Sequence, residues 1–245
     1  MNTNFETSYH INEKHHFWFK ARRSFVKQLL YETSKDSKIL DIGCSSGVLI
    51  QDLIDCGFNA NNIHGIDISE RAIERSKVLG IKQTQIMDAQ NIKFSHTFDL
   101  LIASDCLEHL KNDNQALHNW YNLLNPGGKL IVFVPAYQFL WSRHDEANNH
   151  YRRYTKLGLK RKLIASNFII EKASYWNTLL FLPIALVRLF NKLFLSKAKT
   201  NTSTLKTPVG NTLFYSILKL ENKLLSKISF PFGVSTFCVV TKPKK

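Results

Sequence analysis

Cysteine is sparse in this 245-residue chain, and no two of Cys44, Cys56, Cys106 and Cys238 form a Cys-x-x-Cys pair. All four sit in apolar segments. That argues against a zinc ribbon and a disulfide framework, so a reducing, cytoplasmic setting is expected, and no metal-ligand set is. Long hydrophobic runs are missing as well. The longest, Thr178–Val187, is interrupted by Pro183 and stopped by Arg188, well short of the roughly 20 residues needed to span a bilayer. The opening stretch MNTNFETSYH has no apolar core segment, so no signal peptide is expected. Internal repeats and long low-complexity tracts are absent. Acidic residues are few: 19 Asp and Glu face 33 Lys and Arg, a formal net charge of +14. Such a surplus raises nucleic acid, an anionic membrane or an anionic substrate as partner.

What is present is enough apolar surface to fold. Hydrophobic residues make up 44% of the chain, which excludes intrinsic disorder, and the length fits one α/β domain with decorations or at most two small domains. Residues 1–34 predict an N-terminal helical cap, because Phe17, Phe19, Phe25, Val26, Leu29 and Leu30 recur at helical spacing. Strands are predicted at 38–42, 64–68, 84–87, 98–103 and 129–135, with helices between them. Ser69 is a candidate N-cap, and Asn125-Pro-Gly-Gly128 stops the helix before the fifth strand. Five alternating strand and helix units imply a doubly wound parallel sheet, here residues 35–136. Residues 137–176 read as a polar-aromatic loop, a basic helix over Lys156–Ser166 and a sixth strand. Residues 177–233 read as two apolar-basic helices joined by a linker around Lys197–Gly210, and residues 234–245 as a last strand and tail.

The first strand runs into Asp41-Ile-Gly-Cys-Ser-Ser-Gly47 and then a helix. Gly43 allows a tight turn beside a ligand, and Gly47 a close-packed helix start. Exposed N–H groups at a helix start favour an anion. Asp67 ends the second strand, where a carboxylate can accept both hydroxyls of a ribose. A dinucleotide site shares this logic but expects G-x-G-x-x-G, which the chain lacks.

The loop resembles the first motif, D-x-G-C-G-x-G, of class I S-adenosylmethionine (SAM)-dependent methyltransferases. Four more stretches resemble that family in the right order: Gly65-Ile-Asp-Ile68, Asp88-Ala89, Phe98-Asp-Leu-Leu101 followed by Leu107-Glu-His-Leu110, and Leu124-Asn-Pro-Gly-Gly-Lys-Leu130. The resemblance covers roughly residues 36–136 and departs at Ser45, where the family usually has glycine. It implies a Rossmann-like seven-stranded sheet with an antiparallel last strand, interrupted here by a helical insertion. It further implies a SAM site built from Asp41, Gly43, Cys44, Ser45, Gly47, Asp67, Ile68, Asp88, Ala89 and Ser104, with S-adenosylhomocysteine as product. The alternative for Asp41 and Asp88 is plain helix capping.

Methyl transfer needs an oriented acceptor, and a hydroxyl acceptor benefits from a general base. Glu108 and His109 stand where ligands meet the carboxyl ends of parallel strands, His109 as base or as pocket lining. A second cluster runs from Trp141 through His144, Asp145 and Glu146 to His150, Arg152, Arg153 and Tyr154. His144 or His150 is expected as base. Asp145, Arg152, Arg153 and Tyr154 are expected to hold the acceptor, with Arg forks for an anion. The alternative is a loop clamped to the core by salt bridges. The segment His150-x-Arg-Arg-Tyr-Thr155 is similar to one in bacterial methyltransferases of polysaccharide and lipid-linked sugar pathways.

The insertion holds eight Lys and Arg residues against the single Glu221. Arg188, Asn191 and Lys192 are expected on a face opposite Ile184, Leu186, Val187, Leu189 and Phe190. Lys219, Lys223 and Lys227 are expected opposite Leu213, Phe214, Ile217, Leu220, Leu224 and Leu225. Basic beside apolar faces suit peripheral contact with an anionic membrane, with a lid or dimer contact as the alternative. The expected function is methylation of a small-molecule, sugar or lipid-linked acceptor through oxygen. A nucleic-acid methyltransferase and a non-catalytic SAM-fold binding protein remain the competing readings. Against the former stands Ser104-Asp-Cys-Leu, where an Asn/Asp-Pro-Pro-Tyr/Phe motif is often found.

Overall fold

The computed structural model describes residues 9–194 and 208–244, without the side chains of 191–194. The expected basic positions Lys197, Lys199 and Lys206, and the first eight residues of the helical cap, lie outside the described residues.

The sheet begins with β1 (Ile39–Ile42), buried at every position, then β2 (Ile63–Asp67), β3 (Thr84–Ile86) and β4 (Phe98–Ser104). It ends with β5 (Leu124–Pro135), β6 (Ile169–Trp176) and β7 (Ser235–Thr241). The seven strands follow the order β3-β2-β1-β4-β5-β7-β6, with β7 antiparallel to β5 and β6 and the other pairs parallel. The order reverses between β1 and β4, and ligands bind beyond the carboxyl ends of strands at such a switch point.

Helices cover both faces. They are α1 (Phe17–Leu29), α2 (Val48–Asp55), α3 (Glu70–Val78) and α4 (Asp113–Leu123), then α5 (Arg143–Ala147), α6 (Lys156–Ala165), α7 (Phe181–Phe194) and α8 (Asn211–Leu225). Ser69 caps α3 as its sequence suggests, its side chain accepting from the Ala72 N–H at 3.2 Å. Helix α1 buries Phe25, whose ring meets Phe133 and Phe237 edge-on at 6.0 and 5.1 Å between centroids. Such contacts add about 0.5–1.5 kcal/mol each beyond burial.

Helix α8 packs on α1 through a polar pair within its buried face. Asn222 accepts from Trp176 Nε1 at 2.8 Å and donates to the Ala21 carbonyl at 2.9 Å. Glu221 accepts the Thr178 and Leu179 amides, each at 2.9 Å.

The insertion's outer faces differ from the amphipathic expectation. Helix α7 turns Arg188 inward, where its guanidinium donates to the Leu140 carbonyl at 2.9 Å. Leu182, Leu186, Val187 and Phe190 are instead more than half exposed. On α8, Leu213, Leu220 and Leu224 share the solvent side with Lys219 and Lys223 rather than opposing them. Helix α8 buries Leu218 and Leu225 in the core beside α1, and α7 packs Ile184 inward with Arg188, so the rest of its apolar stripe is left outside. Among the described residues, no helix is long and apolar enough to cross a membrane.

Candidate active site

At the carboxyl ends of the strands lies a cavity of about 1160 Å³. Ligand clefts commonly hold about 300–1,000 Å³, so there is room for a cofactor and an acceptor together.

The glycine loop forms one wall. Gly43 has φ +76°, and a Cβ there would sit 3.2 Å from Cys106. Gly47 has φ +79°, and a Cβ would meet Ile81 at 2.5 Å, so its role is close packing at the start of α2. Gly43 and Ser45 face the cavity, whereas Gly47 and Cys44 do not; the Cys44 thiol is buried against β2.

Ser45 takes the left-handed conformation, φ +50°, which is costly for a residue other than glycine. Its amide donates to Asp67 Oδ2 at 2.9 Å, and its hydroxyl donates to Glu13 Oε2 at 3.0 Å. Those bonds hold the turn in place of the usual glycine. Ser46 also donates to Glu13, at 2.6 Å. Asp67 accepts a second amide, from Ser69, at 2.9 Å.

Three carboxylates therefore crowd the loop: Asp41, Asp67 and Glu13. Burial pushes the Asp41 carboxyl up to about 8, with the charges of Glu13 and Asp67 adding to the shift. Burial also raises Asp67, against the amide bonds that lower it. Carboxyls crowded this closely disfavour a pyrophosphate and suit a cation, which would let them ionise, and SAM brings both an ammonium and a sulfonium.

The Asp41 shift has a measurable consequence. Between about pH 4 and 8 the folded chain holds a proton that the unfolded chain has released. Stability from this site is therefore lost as pH rises through that window. Asp41→Asn is expected to raise the melting temperature of the ligand-free protein more at pH 8 than at pH 5. It should also suppress proton uptake or release when SAM binds, as read by calorimetry in buffers of different ionisation enthalpy. An equal change in melting temperature at both pH values would refute the assignment.

Past β3, Asp88 accepts from the Gln90 amide at 2.8 Å, and the Ala89 carbonyl accepts from Trp120 Nε1 at 2.9 Å. Asp88, Ala89, Met87 and the 75% exposed Ile68 line the far end of the cavity, suited to a flat heterocycle.

At the end of β4, Ser104, Cys106, Glu108 and His109 reach the cavity. Asp105 sits at φ +55° and is held by Arg22 of α1 at 2.8 Å. Arg22 also donates to Ser104 at 3.3 Å and Ser235 at 3.1 Å, joining the ends of β4 and β7. Trp18, Phe133 and Trp176 pack around its guanidinium. Tyr9, His10, His16 and Phe19 close the cavity from the N-terminal side. Sequence alone assigns no site role to Tyr9, His10, Glu13, His16 or Phe19. Their only local signal is the density of His and aromatic residues over 9–19.

The rim cluster divides. His144 and His150 line the cavity, and burial lowers His144 to about 4. Asp145, Arg152, Arg153 and Tyr154, expected to hold an acceptor, each bond to groups of the protein's own fold. Asp145 has no exposure and takes a two-pronged ion pair from Arg153, at 2.8 and 2.9 Å, plus His150 Nδ1 at 2.9 Å. Arg153 borders the cavity with its guanidinium engaged by Asp145 and the Ala136 carbonyl. Arg152 pairs with Asp113 at 2.9 Å, and the Tyr154 hydroxyl donates to the same carboxylate. Neither Arg152 nor Tyr154 lines the cavity. The salt-bridge clamp, the alternative reading of this loop, is what the geometry displays.

A switch-point cavity, a glycine loop ringed by carboxylates and an antiparallel last strand define the class I SAM-dependent methyltransferases. A family model described as a methyltransferase domain matches residues 14–172, and the chain belongs to that family. A ubiquinone biosynthesis O-methyltransferase of Coxiella burnetii is 29% identical over 117 residues, covering 45% of this chain and 48% of that protein. The chain thus spans about half the length of the curated relatives it matches. Among solved structures, the chain bound to the Haloferax volcanii Trm112 methyltransferase activator superposes with a TM-score of 0.63. It is 13% identical, covering 98% of this chain and 95% of that one. Haemonchus contortus phosphoethanolamine N-methyltransferase 2, solved with S-adenosylhomocysteine, gives a TM-score of 0.57 at 16% identity. That match covers 90% of this chain and 53% of the Haemonchus chain. These structural likenesses establish the fold.

Proposed function

We propose that the protein methylates an oxygen of a small acceptor carried on an apolar tail, using SAM. The observation that carries this reading is the single cavity joining the acidic glycine loop to Glu108, His109 and His150.

Asp67, Gly43 and Ser45 would hold the cofactor's amino-acid and ribose portions, and Asp88 and Ala89 its base, while Asp41 and Glu13, which do not line the cavity, would act through the loop they underlie. When bound, SAM supplies an already activated methyl group. What remains for the chain is positioning and proton handling. Burial would raise the Asp145 carboxyl, but the bonds from His150 and Arg153 hold it well below the usual carboxylate range, and His150 Nε2 lies 4.0 Å from Glu108. Burial lowers His109 to about 4, so this ring is neutral. A neutral imidazole at the acceptor end favours loss of a hydroxyl proton there. Tyr9, His16 and Trp141 line the same cavity.

The oxygen acceptor is supported by the matched O-methyltransferase relatives. The apolar tail is supported by α7, which sends Arg188 into the cavity wall while exposing Leu182, Leu186, Val187 and Phe190. A lipid-linked acceptor could enter along that stripe, with the chain's basic surplus facing an anionic leaflet.

The test uses radiolabelled SAM with purified protein and cell extract separated into lipid, polysaccharide, RNA and small-molecule pools. Label is expected in the lipid pool, in a base-stable ether. Label only in RNA, or in an amine, would overturn the proposal.

A further inference from the structure

The acceptor end of the cavity contains an unusual electrostatic arrangement. Glu108 has no exposure, and neither carboxylate oxygen has a hydrogen-bond partner among the described residues. An uncompensated buried charge is costly, so such a group either neutralises or takes a counter-ion. Among the described residues, no basic side chain contacts it at ion-pair distance apart from His150 Nε2, at 4.0 Å. His150 Nδ1 is committed to Asp145 at 2.9 Å, so Nε2 is the ring atom that faces Glu108. A carboxylate oxygen and a ring nitrogen, both metal-ligating atom types, therefore face one another across a gap.

His109 completes the group. Its ring lies 4.6 Å from that of His150, centroid to centroid, at an interplanar angle of 88°. One donor atom each from Glu108, His109 and His150 falls within 4.8 Å of the others. That spread is wider than a formed coordination sphere, since donors bound near 2.0–2.2 Å at a tetrahedral centre stand roughly 3.5 Å apart. Closing the donors to that separation would take a contraction of about 1 Å.

We infer that Glu108, His109 and His150 form a binding site for a divalent transition-metal ion of the zinc class. Two imidazoles and one carboxylate make a borderline donor set, matched to zinc, cobalt or manganese rather than to calcium. The surroundings fit the same role. Metal-bound histidines usually donate their other ring N–H to a carboxylate or a backbone carbonyl. Here His150 donates to Asp145 and His109 to the Asn148 backbone, while the Glu108 carbonyl accepts from the Tyr151 amide at 2.8 Å. Asp145 is held in turn by Arg153 and Ser142. The rim clamp thus acts as the support of the site.

Three protein ligands leave open positions facing the cavity, as in catalytic rather than structural sites. The ion would bind the acceptor's oxygen, lower its pKa and let its proton leave to solvent as the methyl acceptor becomes an alkoxide or phenoxide. This purpose rests on the methyl-transfer reading of the cavity; the metal site itself rests on the geometry.

The experiment is titration of tag-free, chelator-treated protein with Co²⁺, followed by visible d–d absorption, and with Zn²⁺, followed by thermal shift. One equivalent of Co²⁺ should bind with a low-coordinate spectrum and be displaced by Zn²⁺, and Zn²⁺ should raise the melting temperature. Glu108→Gln and His150→Ala should each lower Co²⁺ affinity at least about tenfold. Glu108→Gln relieves a buried carboxyl, so it is expected to fold and to melt no lower than the parent without metal. Absence of Co²⁺ binding at micromolar concentrations, or binding unchanged in both variants, would overturn the inference. Calorimetry of SAM in the presence of chelator separates the two readings. SAM binding and turnover without metal would remove the metal site and leave methyl transfer standing. Failure to bind SAM at all would remove the methyl-transfer reading and leave the metal titration interpretable.

Discussion

Asp67→Ala is expected to reduce SAM affinity at least about 100-fold, to the limit of calorimetric detection. The carboxylate has two tasks. One oxygen accepts the Ser45 amide and the other the Ser69 amide, each at 2.9 Å. The remaining lone pairs point to the cavity, where a ribose diol is proposed to lie. Truncation removes the diol's acceptor and also frees Ser45, whose left-handed backbone depends on the Asp67 and Glu13 bonds. A hydrogen bond to a charged group contributes roughly 1.5–3 kcal/mol, and two such bonds to a diol account for the expected loss. Asp67→Asn keeps the shape but offers one acceptor oxygen instead of two, so an intermediate affinity is expected. Unchanged affinity in the alanine variant, with the fold intact by circular dichroism, would refute the cofactor assignment.

Arg153→Met is expected to be among the most destabilising single changes in the chain, at about 3–5 kcal/mol in urea unfolding. Asp145 is buried without exposure, and Arg153 supplies both prongs of its ion pair. Removing the guanidinium strands a carboxylate in the interior and leaves the Ala136 carbonyl without that donor. Arg153→Lys retains the charge but not the fork, so a smaller loss is expected. The damage should spread to the cavity, because Asp145 fixes His150 and caps α5 through the Ser142 amide. A loss below about 1 kcal/mol would mean that the clamp is not what holds this rim.

The clamp also shows how a residue pattern can be read two ways. A run such as His150-Tyr-Arg-Arg-Tyr-Thr155 has the composition of an anion-binding loop. Composition does not say whether an arginine will meet a ligand or an aspartate of its own chain. Arg153 finds Asp145 eight residues away, and Arg152 finds Asp113 across the fold. Likewise His109 and His150 lie 41 positions apart, a spacing with no metal-binding signature, and converge where the Tyr151 amide donates to the Glu108 carbonyl. Lys192 and the linker lysines remain a property of the sequence alone.

The sequence by itself determined the core: five strand-helix units, the glycine loop, the acid after β2 and the antiparallel closing strand that the family resemblance implies. Apart from the closing strand, whose pairing with β5 spans about 100 residues, those features are local. Strand alternation, a left-handed turn and a helix cap are set within a few residues by backbone geometry and burial period, so they can be read in place. Only the tertiary structure decided that Glu13 and His10 fold over the loop, that Arg22 ties β4 to β7, and that α7 points Arg188 inward with its leucines out. Each depends on a polar partner tens to more than 200 residues away. An amphipathic pattern records that a helix has two faces; which face is covered depends on the charge and shape of the surface it meets.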